Sequence, residues 1–287
     1  MSDFEERLRL FYRDAKGAKR KAAEFLMRHA DQAAFMTLEQ VAEKAGVSAA
    51  TVARTAAGMG YDGYPGLLKA ARRQIRRDMA PVERLIRTGM EGGGDGFARS
   101  LEADMAGISR LGSMNSPERI SQTLALLAES ARIFLFSSRT SYGPLSFFAY
   151  ALSQIRPGVT LLTEAEGRLM DQLMDIGPGD AVFLADMPRY SRIVVQCAAV
   201  LQDRGCRIIA LTDGAESPMA QYAHVMLCVP YASASFFNTG VPALAMYNAL
   251  AAELNIRMQE TSLPRLQRHN ALMRSMGTLM IQGEDEK

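Results

Sequence analysis

The sequence has few of the residues that metal sites and thiol chemistry require. Its 287 residues include three cysteines (Cys197, Cys206, Cys228) and three histidines (His29, His224, His269). No two cysteines form a CxxC pair and the histidines stand far apart, so no metal site, no Cys/His nucleophile and no cofactor is expected. Cysteines scattered in this way are read as small buried apolar residues. Long hydrophobic runs are also missing: Gly, Pro or a charge breaks each apolar stretch well short of a membrane span. The N-terminal MSDFEERLRLFYRDAK is charged throughout, which excludes a secretory signal there. A cytoplasmic protein with no membrane partner is expected.

Net charge is nearly absent as well, at +2, but it is unevenly divided. Residues 1–87 carry 17 Lys and Arg against 11 Asp and Glu, a net of +6, which leaves −4 for residues 88–287. A basic head on an acidic body suggests that the head alone meets a polyanion. With 48% apolar and 22% charged residues the chain can bury a core, and its length suits two domains.

The head reads as four helical segments. Ala18, Ala22, Phe25, Leu26 and His29 recur at helical spacing in the first. TLEQ opens the second: Thr37 caps it, Gln40 reaches back, and Met36 can pack on Val41. Gly46 closes that helix in a left-handed turn. Ser48 caps the third, whose inner stripe is Val52, Thr55/Ala56 and Met59. The fourth begins near Pro65 and directs Leu67, Leu68, Ala71 and Ile75 inward and Arg72, Arg73, Arg76 and Arg77 outward.

Small Ala42, turning Gly46, the corner residue Val47 and the anchor Val52 stand in helix-turn-helix register from Leu38 to Arg54, with the third helix entering the major groove. If Val52 points inward, then Ala50, Arg54 and Ala57 face outward, flanked by Ser48, Ala49, Thr51 and Ala53. The expected DNA-contacting residues are therefore Ser48, Ala49, Ala50, Thr51 and Arg54, with Lys44 and the run Arg72–Arg77 on the backbone. With one long donor on that face a single head discriminates weakly, so paired heads on repeated half-sites are expected.

Pro81 and the stretch Thr88–Gly96 mark a joint. Helices are expected around 97–111 and 117–130, then strands at 132–137, 159–162, 181–185, 207–212 and 225–229 with helices between them. Runs apolar on both faces and linked by helices imply an α/β fold: a doubly wound parallel sheet behind an all-α helix-turn-helix domain. The expected divisions are residues 1–80 for the head, 81–115 for a linker and connecting helix, 116–260 for the sheet domain, and 261–287 for a C-terminal helix and tail. Ligands bind such sheets beyond the carboxyl ends of the strands. The loops there read SSRTSYG (Ser137 to Gly143) and DMPRYSR (Asp186 to Arg192), and both place hydroxyls, Arg and Tyr before a helix. Ser137, Ser138, Arg139, Ser141, Tyr142, Arg189, Tyr190 and Ser191 are accordingly the expected anion-binding residues.

The segment GVSAATVARTAAGMGYDGYPGLLK resembles the head motif GVS.ATV.RF...LG..G...LK of the RpiR family of bacterial regulators. It matches at Gly46, Val47, Ser48, Ala50, Thr51, Val52, Arg54, Gly60, Gly63, Leu68 and Lys69. Residues 120–255 resemble the sugar isomerase (SIS) domain that follows in that family. The resemblance implies a dimer or tetramer that binds double-stranded operator DNA and responds to a sugar phosphate or related metabolite. Two places depart from it. Thr55 and Ala57 thin the DNA face, and the G.GSS and S.SG.T loops are here SSRTSYG and ADMPRYSR. Ser138, Ser141 and Ser191 keep hydroxyls, while Arg139, Pro188 and Arg189 replace small glycines. Those arginines either donate in place of backbone N–H groups or fill the space of a phosphate.

Two other functions fit the pattern less well. An SIS-type isomerase fused to a DNA-binding head needs a base, for which Glu164, Glu166 and Glu253 are the carboxylates considered; no His falls in a strand-end loop, and a non-enzyme is expected. In an architectural DNA-binding oligomer, the segment Leu263–Ile281 would dock on a neighbour instead of on its own domain.

Overall fold

Apolar residues recurring every three to four positions build the N-terminal part of the chain from helices. The computed structural model describes residues 3–34, 36–78, 81–90 and 95–278. The chain divides into two units, Met1–Glu83 and Arg84–Lys287. Helix α1 (Asp3–Asp14) precedes the four segments expected, and its Phe4 and Leu8 are buried one turn apart. It is followed by α2 (Gly17–Arg28), α3 (Ala30–Ala33), α4 (Leu38–Ala45), α5 (Ala49–Gly58) and α6 (Gly63–Asp78). Leu26, Val41, Val52, Ala56 and Leu67 meet in one core with Phe4 and Leu8. The side chains of the run Arg72–Arg77 on α6 lie outside the described residues.

Helix α7 (Pro81–Met90) continues through Thr88, where a joint was expected; residues 91–94 of that joint lie outside the described residues. Next come α8 (Gly96–Ser109), α9 (Leu111–Met114) and α10 (Pro117–Glu129), the last opened as expected by Ser116, whose hydroxyl accepts from the N–H of Arg119.

The sheet has the order β2-β1-β3-β4-β5, and every pair is parallel. Its strands are β1 (Ile133–Ser137), β2 (Val159–Leu161), β3 (Ala181–Ala185), β4 (Arg207–Thr212) and β5 (Val225–Cys228), each within a residue of the expected bounds. Alternate residues face opposite layers. Ile133 and Leu135 pack with Phe183, Ile209 and Leu227 under α10, α11 (Tyr142–Ile155) and α14 (Val241–Arg257); Phe134 and Phe136 pack with Val182, Leu184 and Ile208 under α12 (Leu169–Met174) and α13 (Arg192–Asp203). The result is a three-layer α/β/α domain. Asn115 covers the edge of β5: its amide donates to the carbonyl of Cys228 and accepts from the N–H of Cys228, both at 2.7 Å. The final helix α15 (Gln259–Ser275) packs on α11 of its own domain, and Arg265 donates there to the carbonyl of Ser153.

All three cysteines are buried, and burial pushes the Cys197 thiol up to about 11, which makes it an inert core residue. No cluster among the described residues is suited to a metal ion.

Candidate functional site

The turn that sets the DNA-facing helix is built as its residues require. Thr37 Oγ1 accepts from the N–H of Gln40 at 3.3 Å and Gln40 returns its carbonyl oxygen to the N–H of Thr37 at 2.8 Å, closing the box that starts α4. Gly46 adopts φ 64°, and its N–H donates to the carbonyls of Ala42 and Glu43. Ser48 Oγ then accepts from the N–H of Thr51 at 3.2 Å to start α5.

On α5, Val52, Thr55, Ala56 and Met59 are buried, while Ala50, Arg54 and Ala57 are exposed and Ala49 and Ala53 lie between. Ser48 and Lys44 are exposed as well. Thr51 departs from its expected place. It is buried at 5% exposure, its hydroxyl shares a 2.8 Å hydrogen bond with Ser48 Oγ and accepts from Arg54 Nη2 at 3.4 Å. The buried arc is centred between Val52 and Thr55, and at about 100° per residue this sweeps Thr51 inward. Thr51 thus positions Ser48 and Arg54 instead of offering its own hydroxyl to a groove.

In the sheet domain a pocket opens beyond the carboxyl ends of β1, β3, β4 and β5, where ligands of such sheets bind. Leu211, Val229 and Tyr247 form apolar wall, and the polar lining comes from Thr140, Ser141, Asn238 and Thr239. Tyr247 is held by stacking on Phe148, with ring centroids 4.7 Å apart, and full burial pushes its phenol above the usual range.

Of the eight residues expected to bind an anion, Ser141 lines this pocket and the other seven lie outside its lining. Arg139 and Arg189 are both exposed, and the structure brings them together: Arg139 Nη1 donates to the carbonyl of Arg189 at 3.4 Å. Ser137 and Ser191, at the ends of the two loop segments, are buried with hydroxyls that have no hydrogen-bond partner among the described residues. Ser138 is buried outside the lining, and Tyr142 is exposed on the first turn of α11. Tyr190 turns away, donating its phenol proton to Asp213 Oδ1 at 2.6 Å. Arg139 also adopts φ 59°, a left-handed conformation that favours glycine. The backbone here keeps a glycine's shape while carrying a guanidinium.

Sequence reasoning missed Asp186, Asn238 and Thr239. Asp186 follows β3 directly, is buried, and accepts from the N–H groups of Met187 and Ser191, which fixes the loop into α13. Burial dominates its titration and pushes the carboxyl up to about 7, against the two N–H groups and the charge of Arg139. Its place at the end of an apolar run was the available signal. Asn238 and Thr239 come from the loop after β5, which carries no periodicity. Of the carboxylates considered as bases, Glu164 is exposed and Glu253 pairs with Arg257 at 3.0 Å; the side chain of Glu166 lies outside the described residues.

A helix-turn-helix unit followed by a parallel five-stranded α/β domain defines a two-domain regulator of the helix-turn-helix type. Comparison with known families agrees on both parts: residues 3–74 match the helix-turn-helix domain of the rpiR family and residues 126–253 match the SIS domain. The chain belongs to the RpiR-type helix-turn-helix regulators with a SIS domain. It is 23% identical over 226 residues to the HTH-type transcriptional regulator YfhH of Escherichia coli (strain K12), covering 76% of this chain and 78% of that one. With the HTH-type transcriptional regulator HexR of Pseudomonas aeruginosa it shares 22% over 220 residues, 74% of each chain. Among solved structures it is similar to the sugar isomerase domain of an RpiR transcription factor from Sphaerobacter thermophilus (TM-score 0.59, 24% identity, 61% of this chain and 97% of that one). The Vibrio vulnificus NanR protein complexed with ManNAc-6P shares the fold over 95% of this chain and 99% of its own (TM-score 0.58, 18% identity).

Proposed function

We propose that the SIS domain binds a small anionic metabolite and that occupancy changes how the head binds operator DNA. The observation that carries this reading is the pair of buried hydroxyls with no partner among the described residues, Ser137 and Ser191, on the two strand-end loops that also carry Arg139 and Arg189 and contribute Thr140, Ser141 and Met187 to the pocket. Buried polar atoms without partners are costly, and an anion's oxygens arriving with charge-assisted donors would satisfy them. The NanR structure holds ManNAc-6P in a protein of the same fold, which puts sugar phosphates first among the probes. Sugar acids and other small anions follow, because arginines stand where small glycines are usual.

The DNA contacts are assigned to Ser48, Ala49, Ala50, Arg54 and Lys44, with Thr51 holding Ser48 and Arg54 in place. Self-association is part of the reading, since a head with one long donor needs a second head for specificity. Helix α8 supports it with a row of exposed apolar residues, Phe97, Leu101, Met105 and Ile108. No helix of the described residues is long and apolar enough to cross a membrane, and a cytoplasmic location goes with the operator-binding reading.

Isomerase catalysis is the weaker reading: the pocket lining of described residues contains no carboxylate or imidazole to act as a base, and YfhH and HexR are transcriptional regulators. The deciding experiment is a thermal-shift screen of the full chain against phosphosugars and sugar acids, followed by operator binding with each hit. A stabilising ligand that alters operator affinity supports the proposal. Turnover of an aldose or ketose phosphate would overturn the non-enzyme reading, and stabilisation by no anion would overturn the sensor reading.

A further inference from the structure

The loop that closes the pocket is tied to the two helices that precede the sheet domain in sequence. The N–H of Thr239 donates to the carbonyl of Tyr231 at 3.1 Å, so the loop begins and ends at one place. Its returning end, Asn238 to Gly240, lines the pocket. Both side chains there are also held from outside the pocket. Asn238 Oδ1 accepts from Arg84 Nη1 at 2.6 Å, and Asn238 Nδ2 donates to the carbonyl of Pro188 at 2.6 Å. The hydroxyl of Thr239 donates to Asp104 Oδ1 at 2.7 Å and accepts from the N–H of Val241 at 3.1 Å. Arg84 lies on α7 and Asp104 on α8. One turn beyond Asp104, α8 meets α14 so closely that a Cβ on Gly107 would stand 2.8 Å from Pro242 Cγ.

These bonds leave the pocket residues a defined capacity. Asn238 retains one amide N–H and one lone pair, while the proton of Thr239 is committed to Asp104. A ligand that bonds here therefore engages groups whose orientation is set by α7 and α8. Burial lowers the pKa of the Arg84 guanidinium, which the Tyr231 interaction opposes and the nearby charge of Arg189 reinforces.

We propose that Arg84 and Asp104 are positioning residues that couple occupancy of the pocket to α7 and α8. The inference rests on the ligand reading above and adds the route by which occupancy is felt. Helix α7 begins at Pro81, three positions after α6 of the head ends at Asp78, so in sequence α7 stands between the head and the sheet domain. A ligand has to favour one arrangement of α7 and α8 for such coupling to exist.

The test is hydrogen exchange of the full chain, read by mass spectrometry, in wild type and Asn238→Ala, with ManNAc-6P and inorganic phosphate as probes. Without any probe, Asn238→Ala is expected to speed exchange in α7 about five-fold, through the loss of its hydrogen bond to Arg84, and Thr239→Val is expected to do the same in α8 through the bond to Asp104, while α12 stays unchanged. Arg84→Gln should reproduce the effect on α7 and Arg84→Lys, which keeps a donor, should restore part of it. Unchanged exchange of α7 in both Asn238→Ala and Arg84→Gln, or of α8 in Thr239→Val, overturns the proposal. In wild type, a probe that protects the loops at 137–142 and 231–240 must also slow exchange in α7 and α8, and protection confined to those loops overturns the coupling. If neither probe protects any segment, the ligand reading fails for those probes and the probe-free arm still decides the coupling. Should Asn238→Ala not fold, Arg84→Gln makes the same comparison for α7.

Discussion

Asp180 and Asp186 bracket strand β3, and their carboxyls titrate in opposite directions. Burial works against the charge of Asp180, but a fork of hydrogen bonds from Arg132 (Nε to Oδ1 3.0 Å, Nη2 to Oδ2 2.8 Å), the N–H of Gly177 and the charge of Arg132 together hold its pKa below the usual range. At the other end burial wins, and Asp186 rises to about 7. One end of the strand is a structural clamp, and the other sits beside the pocket with a carboxyl that holds its proton near neutrality.

That contrast fixes a pH dependence. The folded pKa of Asp186 lies above its ordinary 3.8, so the folded chain binds the extra proton between about 4 and 7. Its contribution to stability is full below that window and is lost as pH rises through about 7. Asp180 acts the other way, and its contribution is lost only as pH falls below the ordinary carboxylate range. Asp186→Asn cannot ionise, so its melting temperature should fall less steeply than wild type between about pH 4 and 7. A uniform loss of about 1 kcal/mol is expected on top, because the amide cannot accept both N–H groups. Parallel melting curves across that pH range would refute the assignment.

Arg54 is exposed, and its one hydrogen bond among the described residues is the 3.4 Å contact with Thr51, so its removal should leave the fold intact. Arg54→Ala is expected to keep the melting temperature and to lose about 1–3 kcal/mol of operator affinity if the guanidinium forks onto a guanine edge. If it holds a phosphate, the loss is similar across sequences and the salt dependence shallows by about one unit. Titrations of operator and random DNA at several salt concentrations separate the two. Undiminished binding to both would remove α5 from the DNA interface.

The head and the sheet were legible because their signals are local. Thr37 with Gln40, Gly46 and Ser48 act within four residues, and the apolar runs ending at Ser137, Ala185 and Thr212 are continuous. Helix α1 was passed over because its charges mask the buried pair Phe4 and Leu8. The pocket was half legible. Its arginine loops stand out in sequence, but the lining joins Ser141 to Thr239, and only the order of the strands brings such distant loops together. Tyr190 illustrates the same limit, because its partner Asp213 lies at the end of the next strand.

Arg139 stores strain where the pocket would use its charge. A non-glycine residue in the left-handed region costs about 1–2 kcal/mol. Arg139→Gly relieves that cost but adds about 1 kcal/mol of freedom to the unfolded chain, so stability should hold or rise slightly. Affinity for a bound sugar phosphate should fall, since a charge-assisted donor beside Ser137 and Ser191 is lost. Melting temperature and calorimetric titration, measured on the same preparation, check both halves. A clear loss of stability would mean that Arg139 serves the fold, and unchanged affinity would remove it from the site.

On helix α8, Phe97, Leu101, Met105 and Ile108 fall within a sector of about 80° and remain 74%, 49%, 60% and 41% exposed. Each such side chain gains about 1.5–3 kcal/mol when fully buried, so a row of four is a strong drive to associate. Gly107, on another side of the same helix, already faces Pro242 of its own domain, which leaves the row free for a second copy. Leu101→Glu places a charge in the middle of the row and should shift the sedimenting species toward monomer at equal concentration. Operator affinity should fall with it, because two half-sites must then be filled by separate heads, while the melting behaviour of the pocket and its ligand response persist. Wild-type protein that sediments as a monomer at every concentration would sink the self-association reading. A variant that still associates would place the interface elsewhere than on α8.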